Sequence, residues 1–143
     1  MKTVMATGVF DIIHLGHIFF LKESKKLGDV LVVVVARDST ARKNGKTPVM
    51  DETTRVAIVN ELKPVDRAVL GHEGDIFRIV QEIKPDIITL GYDQNFDADA
   101  IRRGAMNVGV HTEVVRLPMY NSEIKFSSTE IKRKISGSGG GSN

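Results

Sequence analysis

The segment Val30-Leu31-Val32-Val33-Val34-Val35-Ala36 restricts the possible folds more than any other feature of the chain. Its apolar residues do not alternate with polar ones, so a strand formed here must be buried on both faces. Ile87-Ile88-Thr89-Leu90 has the same character. Strands of this kind occur in parallel sheets that helices cover on both sides. The sequence therefore predicts an α/β protein.

Segments with helical spacing lie between the predicted strands. The predicted strands are residues 3–7, 30–36, 67–70, 86–90 and 112–117. The predicted helices are residues 15–27, 51–62, 75–83, 97–106 and 127–135. Because strands and helices alternate, we expect a doubly wound, Rossmann-like fold in which helices cover both faces of a five-stranded parallel sheet.

Length and composition restrict the class of protein. A chain of 143 residues has the size of one domain, which we assign to residues 1–135, and the Gly/Ser-rich residues 136–143 are predicted to be a disordered tail. The absence of cysteine excludes disulfides and a cysteine nucleophile. No apolar run is long enough to span a membrane and no secretory signal opens the chain, so we expect a cytoplasmic protein. The net charge of +2 gives no reason to expect a nucleic-acid partner.

The loop after the first predicted strand carries the strongest functional pattern. Sheets of this type bind ligands at the carboxyl ends of their strands, and there the chain reads Gly8-Val9-Phe10-Asp11-Ile12-Ile13-His14-Leu15-Gly16-His17. His14 and His17 open a helix, whose N-terminal amides and dipole favour an anion. Gly16 allows phosphate to approach closely, and we expect the amides of Gly16 and His17 to take part. The pattern predicts a polyphosphate site.

Two other interpretations of the histidine pair remain open on spacing alone. The rings could be part of a metal site, or they could cap the helix without a catalytic role. Their position after the first strand, without the glycine triplet of dinucleotide-binding proteins, favours the phosphate site.

The pattern Gly-x-Phe-Asp-x-x-His-x-Gly-His resembles the signature of the cytidylyltransferase-like nucleotidyltransferase superfamily. In that superfamily, a Ser/Thr-rich turn that opens the last helix grips the triphosphate, and Phe126-Ser127-Ser128-Thr129 stands in the matching place, although such a turn is also an ordinary helix cap. The resemblance implies that His14 and His17 are catalytic. The residues that it implies for ATP binding are Val9, Phe10, His14, Leu15, Gly16, His17, Asp93, Tyr120, Ser127, Ser128 and Thr129.

Further segments resemble the archaeal-type FAD synthases within this superfamily. They are Val34-Val35-Ala36-Arg37-Asp38-Ser39-Thr40, the run from Leu62 to Gly71, and Lys84-Pro85-Asp86-Ile87-Ile88-Thr89-Leu90-Gly91-Tyr92-Asp93-Gln94. The resemblance implies transfer of the AMP moiety of ATP to FMN, with release of pyrophosphate. It also implies a divalent metal cation of unknown identity beside the triphosphate, and a homodimer.

Several of the implied positions have a simpler structural interpretation. Asp93 could form a turn, and Tyr120 could pack against neighbouring side chains. Lys43 and Lys46 belong to a basic segment that either closes on a phosphate group as a flap or is merely solvated. Asp11 could help bind the divalent ion or could cap a turn.

Two alternative functions fit part of this pattern. Glycerol-3-phosphate cytidylyltransferases share the frame, but their final loop contains a phosphate-gripping arginine, and here the corresponding loop reads Met119-Tyr120-Asn121-Ser122-Glu123-Ile124-Lys125-Phe126. A sensor domain that binds a nucleotide without turnover is the second alternative, and the intact histidine pair argues against it.

Overall fold

The computed structural model describes residues 1–120. In chain order its elements are β1 (Thr3–Gly8), α1 (Leu15–Lys26), β2 (Val30–Val35), α2 (Asp38–Lys43), α3 (Glu52–Asn60), β3 (Arg67–Leu70), α4 (Ile76–Ile83), β4 (Ile87–Leu90), α5 (Ala98–Asn107) and β5 (Glu113–Arg116). The predicted helix at 127–135 and the predicted tail at 136–143 lie outside the described residues.

The five strands form one parallel sheet in the order β3-β2-β1-β4-β5. The chain runs from β1 outward to β3 and then returns to the other side of β1 with β4. The direction of winding therefore reverses between β1 and β4, and the carboxyl ends of these two strands flank a crevice at that point. The predicted doubly wound α/β fold is confirmed.

Alternate residues of each strand enter two separate hydrophobic clusters, one on each face of the sheet. Val4 and Ala6 of β1 pack in the cluster that includes Leu21 of α1 and Val59 of α3. Met5 packs in the other cluster, which α4 and α5 cover with the residues Ile79, Val80, Ile101 and Ala105. Burial on both faces explains why β2 is apolar at every position.

Aspartates fix the starts of three helices. The side chains of Asp51, Asp75 and Asp97 accept hydrogen bonds from amides in the first turns of α3, α4 and α5. Where helices cross, Gly104 of α5 leaves space for the ring of Phe77, because a Cβ atom at Gly104 would lie 2.1 Å from Phe77 Cζ. These local features hold the helices against the sheet.

The short helix α2 differs from the sequence-based expectation, which treated residues 37–50 as a loop. Asp38 occupies its first turn and Arg42 and Lys43 its last turn, an arrangement that suits the helix dipole. A helix of 6 residues is too short for apolar periodicity to reveal it.

Residues 1–120 contain no helix that combines the length and the apolar character required to cross a membrane.

Candidate active site

The loop between β1 and α1 has a conformation that depends on Gly8 and Phe10. Phe10 adopts a left-handed backbone with φ of 54°, which is unusual for a residue with a side chain. Its ring packs over Gly8, where a Cβ atom would lie only 2.7 Å from Phe10 Cε2. The same ring lies 5.6 Å from the ring of His17, between centroids. Because the Phe10 side chain is buried, a nucleotide contact at this position falls to its backbone.

The two histidines at the start of α1 bind each other's backbone in a reciprocal cap. His14 Nδ1 accepts a hydrogen bond from the Gly16 amide at 3.0 Å, and His17 Nδ1 accepts one from the His14 amide at 3.2 Å. A nitrogen that accepts a hydrogen bond carries no proton, so each neutral ring carries its proton on Nε2. The cap therefore fixes one tautomer in both rings and makes each Nε2–H a donor.

The backbone amides of the first turn of α1 also form hydrogen bonds within this cap. The Gly16 amide donates to His14 Nδ1, and the His17 amide donates to the His14 carbonyl oxygen at 3.0 Å. Both amides expected to bind phosphate are thus engaged within the first turn of α1. The imidazole Nε2–H groups are further hydrogen-bond donors that this turn offers to an anion.

The charge state of His17 follows from its surroundings. Burial lowers the pKa of His17 to about 3, and the nearby charges of His14 and Lys46 act in the same direction. The two rings lie 4.0 Å apart between centroids. His17 is therefore neutral at pH 7 and acts as a hydrogen-bond donor rather than as a cation.

A fully buried arginine connects the segments around this loop. Arg55 NH1 donates to the carbonyl oxygens of Val9 and Ala36, each at 2.7 Å, and Arg55 Nε donates to that of Met50 at 3.0 Å. Arg55 NH2 forms an ion pair with Asp38 Oδ1 at 2.6 Å. Arg55 thus joins the end of β1, the end of β2 and the start of α2. The carbonyl oxygen of Val9, a predicted ATP-binding residue, is one of its acceptors.

Asp11 is buried and attaches the segment before α3 to the β1–α1 loop. Its Oδ2 accepts the Val49 amide at 2.7 Å and its Oδ1 accepts the Met50 amide at 2.9 Å. Both carboxylate oxygens are therefore engaged with the backbone, which favours a positioning role over metal binding. Lys43 and Lys46, the predicted flap residues, are exposed on this side, and Lys46 is close enough to influence the pKa of His17.

Asp93 is exposed in a turn that follows β4, and other residues hold this turn in place. Gln94 Nε2 donates to the Thr7 carbonyl oxygen at 2.9 Å, while Gln94 Oε1 accepts the Gly91 amide at 2.7 Å. Arg116 of β5 donates to the carbonyl oxygens of Gly91, Gln94 and Phe96. The turn containing Asp93 is thereby attached to the end of β1, beside the crevice.

The remaining residues predicted to bind ATP lie in different parts of the chain. Leu15 is exposed at the first position of α1. The ring of Tyr120 packs against Phe19 of α1 at 5.4 Å between centroids, which agrees with the simpler interpretation of that residue. Ser127, Ser128 and Thr129 lie outside the described residues. The ATP-binding roles of all these positions stay predictions.

Sequence reasoning missed Arg55, Gln94 and Arg116, which hold the loops of the site in place. Arg55 stands in a helical segment where an arginine is normally solvated, and nothing in the residue order reveals that it is buried. Gln94 and Arg116 bind main-chain carbonyl oxygens, and such partners leave no pattern in the sequence.

Within residues 1–120, no group of three or more His, Asp or Glu side chains could hold a metal ion. The divalent cation that the resemblance implies stays a prediction.

The sheet topology, the histidine cap and the loops around the crevice fit a phosphate-transfer enzyme, and comparison with known proteins gives the class. The chain belongs to the cytidylyltransferase-like family, whose family model matches residues 5–134. The expected nucleotidyltransferase class is thus confirmed.

Comparison with individual relatives gives a more specific assignment than the family model does. A protein of Thermoplasma acidophilum named FAD synthase is 61% identical over 135 residues, which cover 94% of each chain. A Thermoplasma volcanium protein of the same name is 59% identical with the same coverage. The predicted resemblance to archaeal FAD synthases is therefore confirmed. A crystal structure described as the lipopolysaccharide core biosynthesis protein of Thermoplasma volcanium GSS1 superposes with a TM-score of 0.83 at 63% identity, covering 85% of this chain and 99% of that chain.

Proposed function

We propose that this nucleotidyltransferase is an FAD synthase, which transfers the AMP moiety of ATP to FMN and releases pyrophosphate. The observation that carries the mechanism is the reciprocal histidine cap, because it fixes both Nε2–H groups as donors at the carboxyl end of β1. The identity of 61% to an FAD synthase over 94% of the chain supports the choice of substrates.

The reaction is an in-line displacement. A phosphate oxygen of FMN forms a bond to the α-phosphorus of ATP, while the bond from that phosphorus to the bridging oxygen breaks and its electron pair leaves with pyrophosphate. The protein supplies no nucleophile. His14 and His17 donate Nε2–H hydrogen bonds to phosphoryl oxygens on which charge increases in the transition state. A neutral His17 keeps this geometry, since protonation at Nδ1 would remove the acceptor of the His14 amide.

We propose that the two substrates bind on different sides of β1. Nucleotides bind where the winding of such a sheet reverses, which here is the crevice between β1 and β4. The turn held by Gln94 and Arg116, with the exposed Asp93, borders that crevice and suits contact with adenosine. Lys43 and Lys46 follow β2 on the other side, where a cationic segment suits the phosphate group of the acceptor.

A divalent cation remains part of the proposal as an ion carried by the triphosphate. Mg²⁺, for example, commonly keeps several waters and binds through substrate phosphates with only one or two carboxylates. No step assigned to the protein depends on such an ion, because residues 1–120 provide no metal-binding cluster. A homodimer is likewise a proposal, which light scattering on the purified protein tests directly.

A matrix of substrates tests the reaction. ATP or CTP is offered with FMN, glycerol 3-phosphate or a sugar phosphate, and both pyrophosphate and the nucleotide product are measured. We expect FAD from ATP and FMN alone. Product from a sugar phosphate would favour the description of the solved Thermoplasma structure, product from CTP and glycerol 3-phosphate the cytidylyltransferase alternative, and binding without turnover a sensor.

Histidine variants test the mechanism in the same assay. His14→Ala and His17→Ala should each lower kcat about 100-fold or more, the usual loss when a transition-state donor is removed. His111→Ala serves as the matched control, because this exposed histidine lies outside the site. Normal turnover in both site variants would refute the role assigned to the pair.

A further inference from the structure

Two aliphatic side chains are exposed at the edge of the sheet that carries the site. Val49 is 68% exposed and Leu15 is 60% exposed, and among residues 1–120 only Met1 exceeds them in the set of exposed large hydrophobic side chains. Leu15 and Gly16 lie between His14 and His17 in the sequence. When a ligand covers apolar side chains that were exposed to water, the free energy of the system falls and binding is favoured.

The backbone around Val49 is held in place rather than left loose. Asp11 accepts the amides of Val49 and Met50, and Arg55 donates to the Met50 carbonyl oxygen. Pro48 has a fixed φ and disfavours helical backbone at the preceding residue, so the approach to Val49 is restricted as well. A buried carboxylate and a buried guanidinium therefore maintain an exposed valine in one position.

The same segment carries a cation, Lys46, three residues before the valine. Three residues of extended chain span at most about 10 Å. Lys46 is also close enough to His17 to influence its pKa. A phosphate group and an apolar ring joined by a five-carbon chain, as in FMN, have a comparable separation. The segment from Lys46 to Val49 thus offers a cation for the phosphate group and an apolar side chain for the ring within that maximum span.

The position of residues 46–49 relative to the sheet favours the acceptor over ATP as their ligand. The crevice for the nucleotide lies between β1 and β4, whereas residues 46–49 follow β2 on the opposite side of β1. A ligand that reaches Val49 from the histidines therefore extends away from the adenosine side.

We infer that Val49 and Leu15 form the apolar contact for the isoalloxazine ring of FMN and so determine acceptor specificity. This inference rests on the proposed function. Asp11 is then a positioning residue, since it acts by holding the backbone of Val49. In this assignment the Leu15 side chain contacts the acceptor, while its backbone contacts the triphosphate.

The test compares Val49→Ser and Leu15→Ser with the wild type in steady-state kinetics, with FMN and ATP varied separately. Loss of one aliphatic contact should raise KM for FMN about tenfold and leave KM for ATP within about twofold. Ribitol 5-phosphate, which keeps the phosphate and the five-carbon chain but lacks the ring, serves as a competitive inhibitor against FMN. Its inhibition constant should stay unchanged in Val49→Ser, so that the preference for FMN over it falls about tenfold.

Two controls accompany these variants. Val49→Ile retains the apolar contact and should keep the wild-type KM for FMN. Met106→Ser changes an exposed apolar side chain of α5, outside the site, and should change neither KM. Val49→Thr, which keeps the branched shape, replaces the serine variant if that variant does not fold.

The outcomes separate the two proposals. Absence of FAD formation by the wild type would refute the proposed function. FAD formation by the wild type together with an unchanged KM for FMN in Val49→Ser and Leu15→Ser would refute this inference alone, and so would an equal rise in both KM values.

Discussion

The histidine pair shows how a local hydrogen-bond pattern sets the chemistry of a side chain. In both rings Nδ1 accepts a backbone amide, which leaves the proton on Nε2. Burial of His17 then keeps that ring neutral at pH 7. The hydrogen bonds that cap the start of α1 are thus the same ones that fix Nε2–H as the donor of both rings.

The lowered pKa of His17 predicts how stability depends on pH. An unfolded histidine binds a proton below about pH 6.5, whereas folded His17 does so only near pH 3. Between these values the unfolded state binds more protons, so stability falls as the pH decreases. From pH 7 to pH 5 the wild type should therefore lose roughly 2 kcal/mol more than His17→Gln.

Guanidinium unfolding at the two pH values measures this difference. His111→Gln replaces an exposed histidine and should lose stability in parallel with the wild type. Equal losses in wild type and His17→Gln would show that His17 is protonated as readily in the folded protein as in the unfolded chain.

Sequence reasoning identified residues of the site when their chemistry matches a motif, and missed them when they act through the main chain. His14 and His17 were identified by type, spacing and position after a strand. Arg55 was missed because, among residues 1–120, it donates to three carbonyl oxygens from segments far apart in the chain and to one side chain, that of Asp38. Only the folded structure shows which carbonyl oxygens converge.

At the scale of elements, two aspartates perform related tasks with different consequences. Asp51 accepts the Thr54 amide and caps α3, a contact within one helix. Asp11 accepts the amides of Val49 and Met50, and so joins the β1–α1 loop to the segment before α3. The sequence predicts the first contact from helix punctuation. It does not predict the second, because its partners are 38 and 39 residues away.

Substitution of each aspartate by asparagine should therefore have different effects. Asparagine has one carbonyl oxygen in place of two carboxylate oxygens, so Asp11→Asn cannot accept both amides. We expect faster hydrogen exchange of the Val49 and Met50 amides in Asp11→Asn and an increased KM for FMN. In Asp51→Asn the cap persists, and exchange at residues 49 and 50 should match the wild type. Unchanged exchange in Asp11→Asn would contradict the positioning role of this carboxylate.

For the whole molecule, the sequence predicted the parallel sheet and all five strands of residues 1–120, because burial on both faces leaves a continuous apolar signature. It failed for α2, whose 6 residues carry too little periodicity. It was also silent about the polar contact that crosses the core: Ser24 of α1 and Thr89 of β4 share a hydrogen bond of 2.8 Å, although both side chains are fully buried.

This buried pair links the helix after β1 to a strand from the other half of the sheet, and a double-mutant cycle measures the link. Ser24→Ala or Thr89→Val alone leaves one buried hydroxyl unpaired and should cost about 1–3 kcal/mol of unfolding free energy. The double variant removes both hydroxyls, so it should be at least about 1 kcal/mol more stable than the sum of the single effects predicts. Ser39→Ala, which breaks an exposed hydrogen bond to Glu73, is the control and should change stability by less than about 0.5 kcal/mol. Additive losses in the cycle would show that the two hydroxyls do not depend on each other, and that the halves of the sheet are joined by apolar packing and strand pairing alone.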